Sequence, residues 1–136
     1  MFIECQTQFD KAILYNVNNI VFVGDMKDKV SLLFDDGTFY QLPDEYNSIV
    51  KRIIELSKLE PRPSAYIQFT TNKEERISFS LRRVFYILEQ ETTTAVMFND
   101  GTRIELLDDF STVAKRVLDR FEYAVERTQG NEKTKS

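Results

Sequence analysis

The chain has no histidine and no tryptophan, one cysteine, three prolines and four glycines among its 136 residues. Each scarcity removes a class of chemistry. Without histidine there is no imidazole base to activate a serine or cysteine, and no imidazole ligand for a metal. Cys5 has no second cysteine to join, so no intramolecular disulfide forms and a reducing compartment fits best. The glycines never cluster, which removes a glycine-rich phosphate loop. Long apolar runs are missing too. Ile20-Val21-Phe22-Val23 is typical, far short of a membrane span. The N-terminal residues Met1 to Gln6 lack a basic region followed by an apolar stretch, so no secretory leader is read, and no lipidation motif stands out. The expected location is the cytoplasm, with no membrane contact.

What remains has the balance of a soluble globular protein, at 42% hydrophobic and 29% charged residues. Eighteen basic against 22 acidic side chains give a net charge of −4, which disfavours a protein that coats duplex DNA with its whole surface.

The strongest signal is internal repetition. Shifted by 64 residues, the chain aligns with itself without a gap from about Ile3 to Leu56. Phe34-Asp35-Asp36-Gly37-Thr38 falls on Phe98-Asn99-Asp100-Gly101-Thr102, Leu42 on Leu106, Asp44 on Asp108, and Lys51-Arg52 on Lys115-Arg116. Apolar character is kept at Ile20 and Val84, Phe22 and Tyr86, Tyr46 and Phe110, and Ile49 and Val113.

Each unit reads as five short strands and a closing helix. Strands are expected at 2–7, 12–15, 20–23, 30–34 and 38–41, and again at 65–71, 76–79, 84–88, 94–98 and 102–105. Asp36-Gly37 and Asp100-Gly101 supply hairpin turns. The first helix is expected to open at Pro43, with Asp44 and Glu45 favoured by the dipole and Tyr46, Ile49, Val50 and Ile53 as its apolar stripe. Asp108 and Asp109 open the second, whose stripe continues through Phe121 and Val125, about two turns further, to a stop at Gly130. The fold class is therefore α+β: two tandem copies of an antiparallel multi-stranded sheet followed by one helix, related by a pseudo-twofold. The boundaries are residues 1–58 and 65–129 for the repeats, 59–64 for a linker stiffened by Pro61 and Pro63, and 130–136 for a disordered tail.

In element order alone this resembles PUR-repeat proteins, which bind single-stranded nucleic acid, and bacterial pleckstrin-homology-like modules. Five strands per unit stand where the PUR family has four, and no family motif matches residue by residue, so no binding residue is carried over.

Few positions suggest chemistry. The Asp-Gly turns lack the ligand spacing of a calcium loop, the carboxylates at helix starts answer to the dipole, and Cys5 reads as a small buried hydrophobe, its repeat partner being Phe69. No catalytic residue, metal or cofactor is assigned. Differences between the units are more telling. Asn18-Asn19 becomes Arg82-Arg83, Ala12 becomes Arg76 and Phe39 becomes Arg103. Residues 1–64 carry 7 basic and 10 acidic side chains, net −3, and residues 65–136 carry 11 and 12, net −1. Arg76, Arg82, Arg83 and Arg103 with Tyr86 form a candidate platform for single-stranded nucleic acid or a nucleotide. The alternative is that these arginines pair with Glu89, Glu91 or Glu105 across strands. In the first unit, Phe9, Phe39 and Tyr40 are aromatic at exposed-looking places, and with Phe121 and Val125 they form a candidate protein interface. Phe39 and Tyr40 are adjacent, so they point to opposite faces.

The leading expectation is a small non-enzymatic binding or regulatory protein of a microbe or its phage. It would act through protein–protein interaction and self-associate as a homodimer. The competing expectation is a module that sequesters single-stranded nucleic acid or a nucleotide through the second-unit arginines.

Overall fold

A computed structural model describes residues 2–26, 29–60 and 65–129, with the backbone alone described over 121–129. The linker prolines, Gly130, the tail and the side chains of Phe121 and Val125 lie outside the described residues.

The chain runs β1 (Phe2–Gln6), β2 (Ala12–Asn16), β3 (Ile20–Met26), β4 (Lys29–Phe34), β5 (Phe39–Leu42) and α1 (Tyr46–Ser57), then β6 (Tyr66–Thr70), β7 (Arg76–Ser80), β8 (Val84–Glu89), β9 (Thr94–Phe98), β10 (Arg103–Leu106) and α2 (Phe110–Gln129). Single 3-10 turns, Val17–Asn19 and Leu81–Arg83, lead into β3 and β8. The architecture is α+β with antiparallel sheets and two helices.

Turn chemistry explains the hairpins. Gly37 and Gly101 sit at φ +87° and +92°, a region open to glycine. Asp36 and Asp100 then accept the N–H of Thr38 and Thr102 at 2.9 and 3.0 Å. The helix starts differ from expectation. α1 begins at Tyr46 after an extended Glu45 that makes no side-chain cap, so Pro43 and Asp44 belong to the connection from β5. At α2, Asp109 does cap, accepting the Thr112 N–H at 2.8 Å.

The strands form three sheets: β1-β2, then β5-β4-β3-β7-β6, then β10-β9-β8. The central sheet thus draws three strands from the first half and two from the second. They join where β3 meets β7, with Phe22 opposite Phe79, Val23 opposite Ser78, Gly24 opposite Ile77 and Asp25 opposite Arg76. Strand alternation then sends neighbours to opposite faces. Val23 and Leu32 face a core built with Ile3, Tyr15, Tyr46, Ile49 and Ile53. Phe22 and Leu33 face a second core with Phe79, Phe98, Leu106 and Val113. Because both faces of the central sheet are covered, β3 can be apolar at every position from Ile20 to Val23. Spacing along the sequence placed the strands but not this partition, since it is the β3–β7 junction that carries one sheet across both halves.

Tyr46 fastens α1 to that junction. Its hydroxyl lies 2.5 Å from the Ser78 hydroxyl and donates to Gln68 at 3.2 Å. Burial pushes its phenol up from the ordinary value, against the lowering effect of the Ser78 hydrogen bond.

Candidate nucleic-acid interface

Arg82 and Arg83 occupy the 3-10 turn before β8. The Ser80 hydroxyl accepts the Arg82 N–H at 3.3 Å and holds that turn. The Arg83 carbonyl in turn accepts the Asn99 N–H at 2.8 Å, which brings the β9–β10 hairpin alongside. Arg103 opens β10 immediately after that hairpin, opposite Met97, and Met97 is itself opposite Tyr86. Directly paired residues share a face, so Arg103, Met97 and Tyr86 form a row across the outer face of the three-stranded sheet. Strand pairing thus places the backbones of Arg82, Arg83 and Arg103 at one end of that sheet, with Tyr86 near the start of β8.

Arg76 belongs elsewhere. On β7, its guanidinium donates twice to one Asp25 oxygen, at 2.7 and 3.1 Å, donates to Asn47 at 3.2 Å, and lies 4.6 Å over the Tyr46 ring. It is bound into the β3–β7 junction rather than presented with the others.

The remaining arginines differ in how they are held. Arg83 lies 3.1 Å from the Asp35 carboxylate and donates to the Asn18 carbonyl, so it also staples the two halves. Arg103 lies 3.3 Å from Glu105, two residues along its own strand rather than across strands, and both side chains are partly exposed. Exposed contacts of this kind contribute about 0–1 kcal/mol and give way easily to a stronger anion. Burial raises the Tyr66 phenol, while Arg83 and Arg82 pull it back down, which places both charges near that ring.

The expected protein-interface residues fall into two groups. Phe9 is 68% and Phe39 47% exposed, whereas Tyr40 turns inward against the first core, edge-on to Phe34 at 6.2 Å. Cys5 is half-buried rather than fully buried, packs against that core, and has its thiol pushed up by burial. Sequence reading missed Arg116 and Arg120. They donate to the Gln68 and Tyr66 carbonyls at 2.7 and 3.0 Å and cover the outer edge of β6. The pairing of Lys115-Arg116 with Lys51-Arg52 marked Arg116 as a shared position, but nothing marked it as a cover for a strand edge. Among the described residues, no three His, Cys, Asp or Glu gather as a metal site.

This three-sheet arrangement has a counterpart among solved structures. It is similar to a LytTr DNA-binding domain of a putative methyl-accepting/DNA response regulator from Bacillus cereus, with a TM-score of 0.55 and 11% identity over 86% of this chain and 95% of that one. At that identity the likeness is one of fold. No family model matches the chain, and no curated protein is detectably similar. Among the described residues, no helix is long and apolar enough to cross a membrane.

Proposed function

We propose that this chain is a non-catalytic regulatory domain that binds duplex DNA, contacting phosphates with Arg82, Arg83 and Arg103. The observation that carries this reading is the fold likeness to a DNA-binding domain along most of both chains. The gathering of three arginines at one end of the outer sheet supports it. With a net charge of −4, the chain must meet an anionic ligand with a local patch rather than with its surface as a whole. Arg76 is left out of the contact set because it lies in the β3–β7 junction, away from the outer sheet; Arg83 is kept, and a phosphate there has to displace the Asp35 carboxylate. Tyr86, whose ring packs 5.7 Å from that of Phe85, is left out as well.

The test is binding to fluorescent duplex DNA across a salt series. Each phosphate contact contributes a slope of about −0.9 in log K against log salt. Replacing Arg82 and Arg83 together by Ala is expected to flatten the slope by about 2 and to weaken binding roughly 10- to 100-fold at low salt. Arg76→Gln is expected to leave both unchanged. Absence of binding at low salt, or a slope indifferent to the double substitution, contradicts the reading. A clear preference for single strands over duplex of the same sequence moves it to the single-strand alternative.

A further inference from the structure

β3 and β8 stand 64 residues apart, and each shifts register at its second residue, Val21 and Phe85. Their surroundings are opposite. Val21 and Phe22 are 0% and 6% exposed, whereas Phe85, Tyr86 and Leu88 are 74%, 47% and 44% exposed. The difference lies in what fills the outer edge. β7 pairs along β3, whereas β8 has, among the described strands, β9 as its one partner. The counterpart of β7 is β2, which among the described strands pairs with β1 and no other, and Leu14 is 63% exposed where Ser78 is buried. Phe2, the counterpart of the buried Tyr66, is 59% exposed. Among the described residues, therefore, no strand pairs with the outer edge of β8 or with the outer edge of β2.

We propose that β8 of one copy pairs antiparallel with β2 of a second copy, in the register that β3 makes with β7. Tyr86 then lies opposite Tyr15 of the second copy, Ile87 opposite Leu14, Leu88 opposite Ile13 and Glu89 opposite Ala12. The product is a five-stranded sheet, β10-β9-β8-β2-β1, that repeats the order β5-β4-β3-β7-β6 across two molecules.

The side chains at the two junctions differ in a matched way. Inside the chain, the Tyr46 hydroxyl meets the Ser78 hydroxyl. At the proposed junction the counterparts are Phe110, which is partly exposed, and Leu14: both hydroxyls are gone together, and an apolar pair replaces a polar one. Likewise Arg76, ion-paired to Asp25 and stacked over Tyr46, becomes Ala12, small enough to leave the Phe110 ring free for Leu14. Glu89 takes the place of Asp25 and comes beside Lys11 of the second copy. An exposed apolar strand edge is a template for pairing with another chain. β6, by contrast, has its outer edge covered by Arg116 and Arg120. Because the contact joins two different surfaces, the copies close into a ring or grow as a chain, according to the rotation between them.

The experiment uses the full chain without nucleic acid, so its outcome is separate from that of the DNA reading. In a Cys5→Ser background, one preparation carries Ala12→Cys and another Glu89→Cys, both exposed positions where folding is not at stake. Facing residues of antiparallel strands lie within disulfide reach. The expected result is a cross-linked dimer on oxidising the mixture and little from either preparation alone. Sedimentation of the parent chain is expected to show a mass rising with concentration, and Tyr86→Lys to weaken that association about tenfold or more. Cross-linking of Glu89→Cys with itself as efficient as in the mixture would indicate pairing of β8 with β8 and overturns the proposal. So does a mixture that fails to cross-link, or a mass of one chain at every concentration.

Discussion

Gly101 takes φ +92°, and a Cβ built there would meet no atom within 4 Å. Its value is therefore conformational rather than steric. Gly101→Ala is expected to cost about 1 kcal/mol through backbone strain alone, read as a lowered denaturant midpoint at unchanged slope. Ser31 presents the reverse case. It is fully buried on β4, and its hydroxyl finds no hydrogen-bond partner among the described residues. Removing an unsatisfied buried hydroxyl relieves its desolvation cost, so Ser31→Ala is expected to be neutral or stabilising by up to about 1 kcal/mol. A loss of stability in thermal unfolding would contradict this and show that the hydroxyl is hydrogen-bonded. The glycine role was legible from Asp100-Gly101 alone, because only a tight turn demands that pair between two apolar alternations. The Ser31 cost was not, because burial depends on which sheet lies over which face.

At the scale of elements, the contact of α1 with the β3–β7 junction is the one most open to measurement. Tyr15, Tyr46 and Tyr66 all have their phenols raised by burial. A raised folded value means the neutral form is favoured in the fold. That contribution is complete below the unfolded phenol value of about 10 and is lost as pH climbs through the raised folded values. The thermal midpoint should therefore fall steeply above about pH 10, and Tyr46→Phe should make the fall shallower while costing about 1 kcal/mol at neutral pH for its lost hydroxyl contacts. A midpoint that holds steady to pH 11.5 would contradict this. Element positions were readable to within a residue or two for most strands, because alternation and turn residues are local. The start of α1 was not: Pro43-Asp44-Glu45 has the composition of a helix opening, yet the chain leaving Leu42 on β5 stays non-helical until Tyr46 can drop into the first core. The β3–β7 pairing was also out of reach. Two apolar strands say that each needs a partner, not which partner each takes.

For the whole molecule, the central sheet has a direct consequence. Residues 1–60 expressed alone would leave β3 without β7, and the rest of the chain alone would leave β6 and β7 as an isolated two-stranded sheet over half a core. Neither piece is expected to show cooperative unfolding, while the intact chain unfolds in one transition. A sharp transition in either piece by circular dichroism would show that the halves are independent. The site follows from the same architecture. Arg82, Arg83 and Arg103 were visible as departures from the first unit, but their convergence depends on the Asn99 N–H bonding to the Arg83 carbonyl, a contact between turns 16 residues apart. The diversion of Arg76 to Asp25 depends on the inter-half pairing that no local pattern encodes.

The most direct test of the DNA-binding account is a map of backbone amide signals as duplex DNA is added to isotopically labelled protein. The largest shifts are expected on residues 81–83 and 99–103, fading with added salt and leaving Arg76 and α1 unmoved. Shifts centred on α1 and β5, or no shifts at low salt, would contradict it.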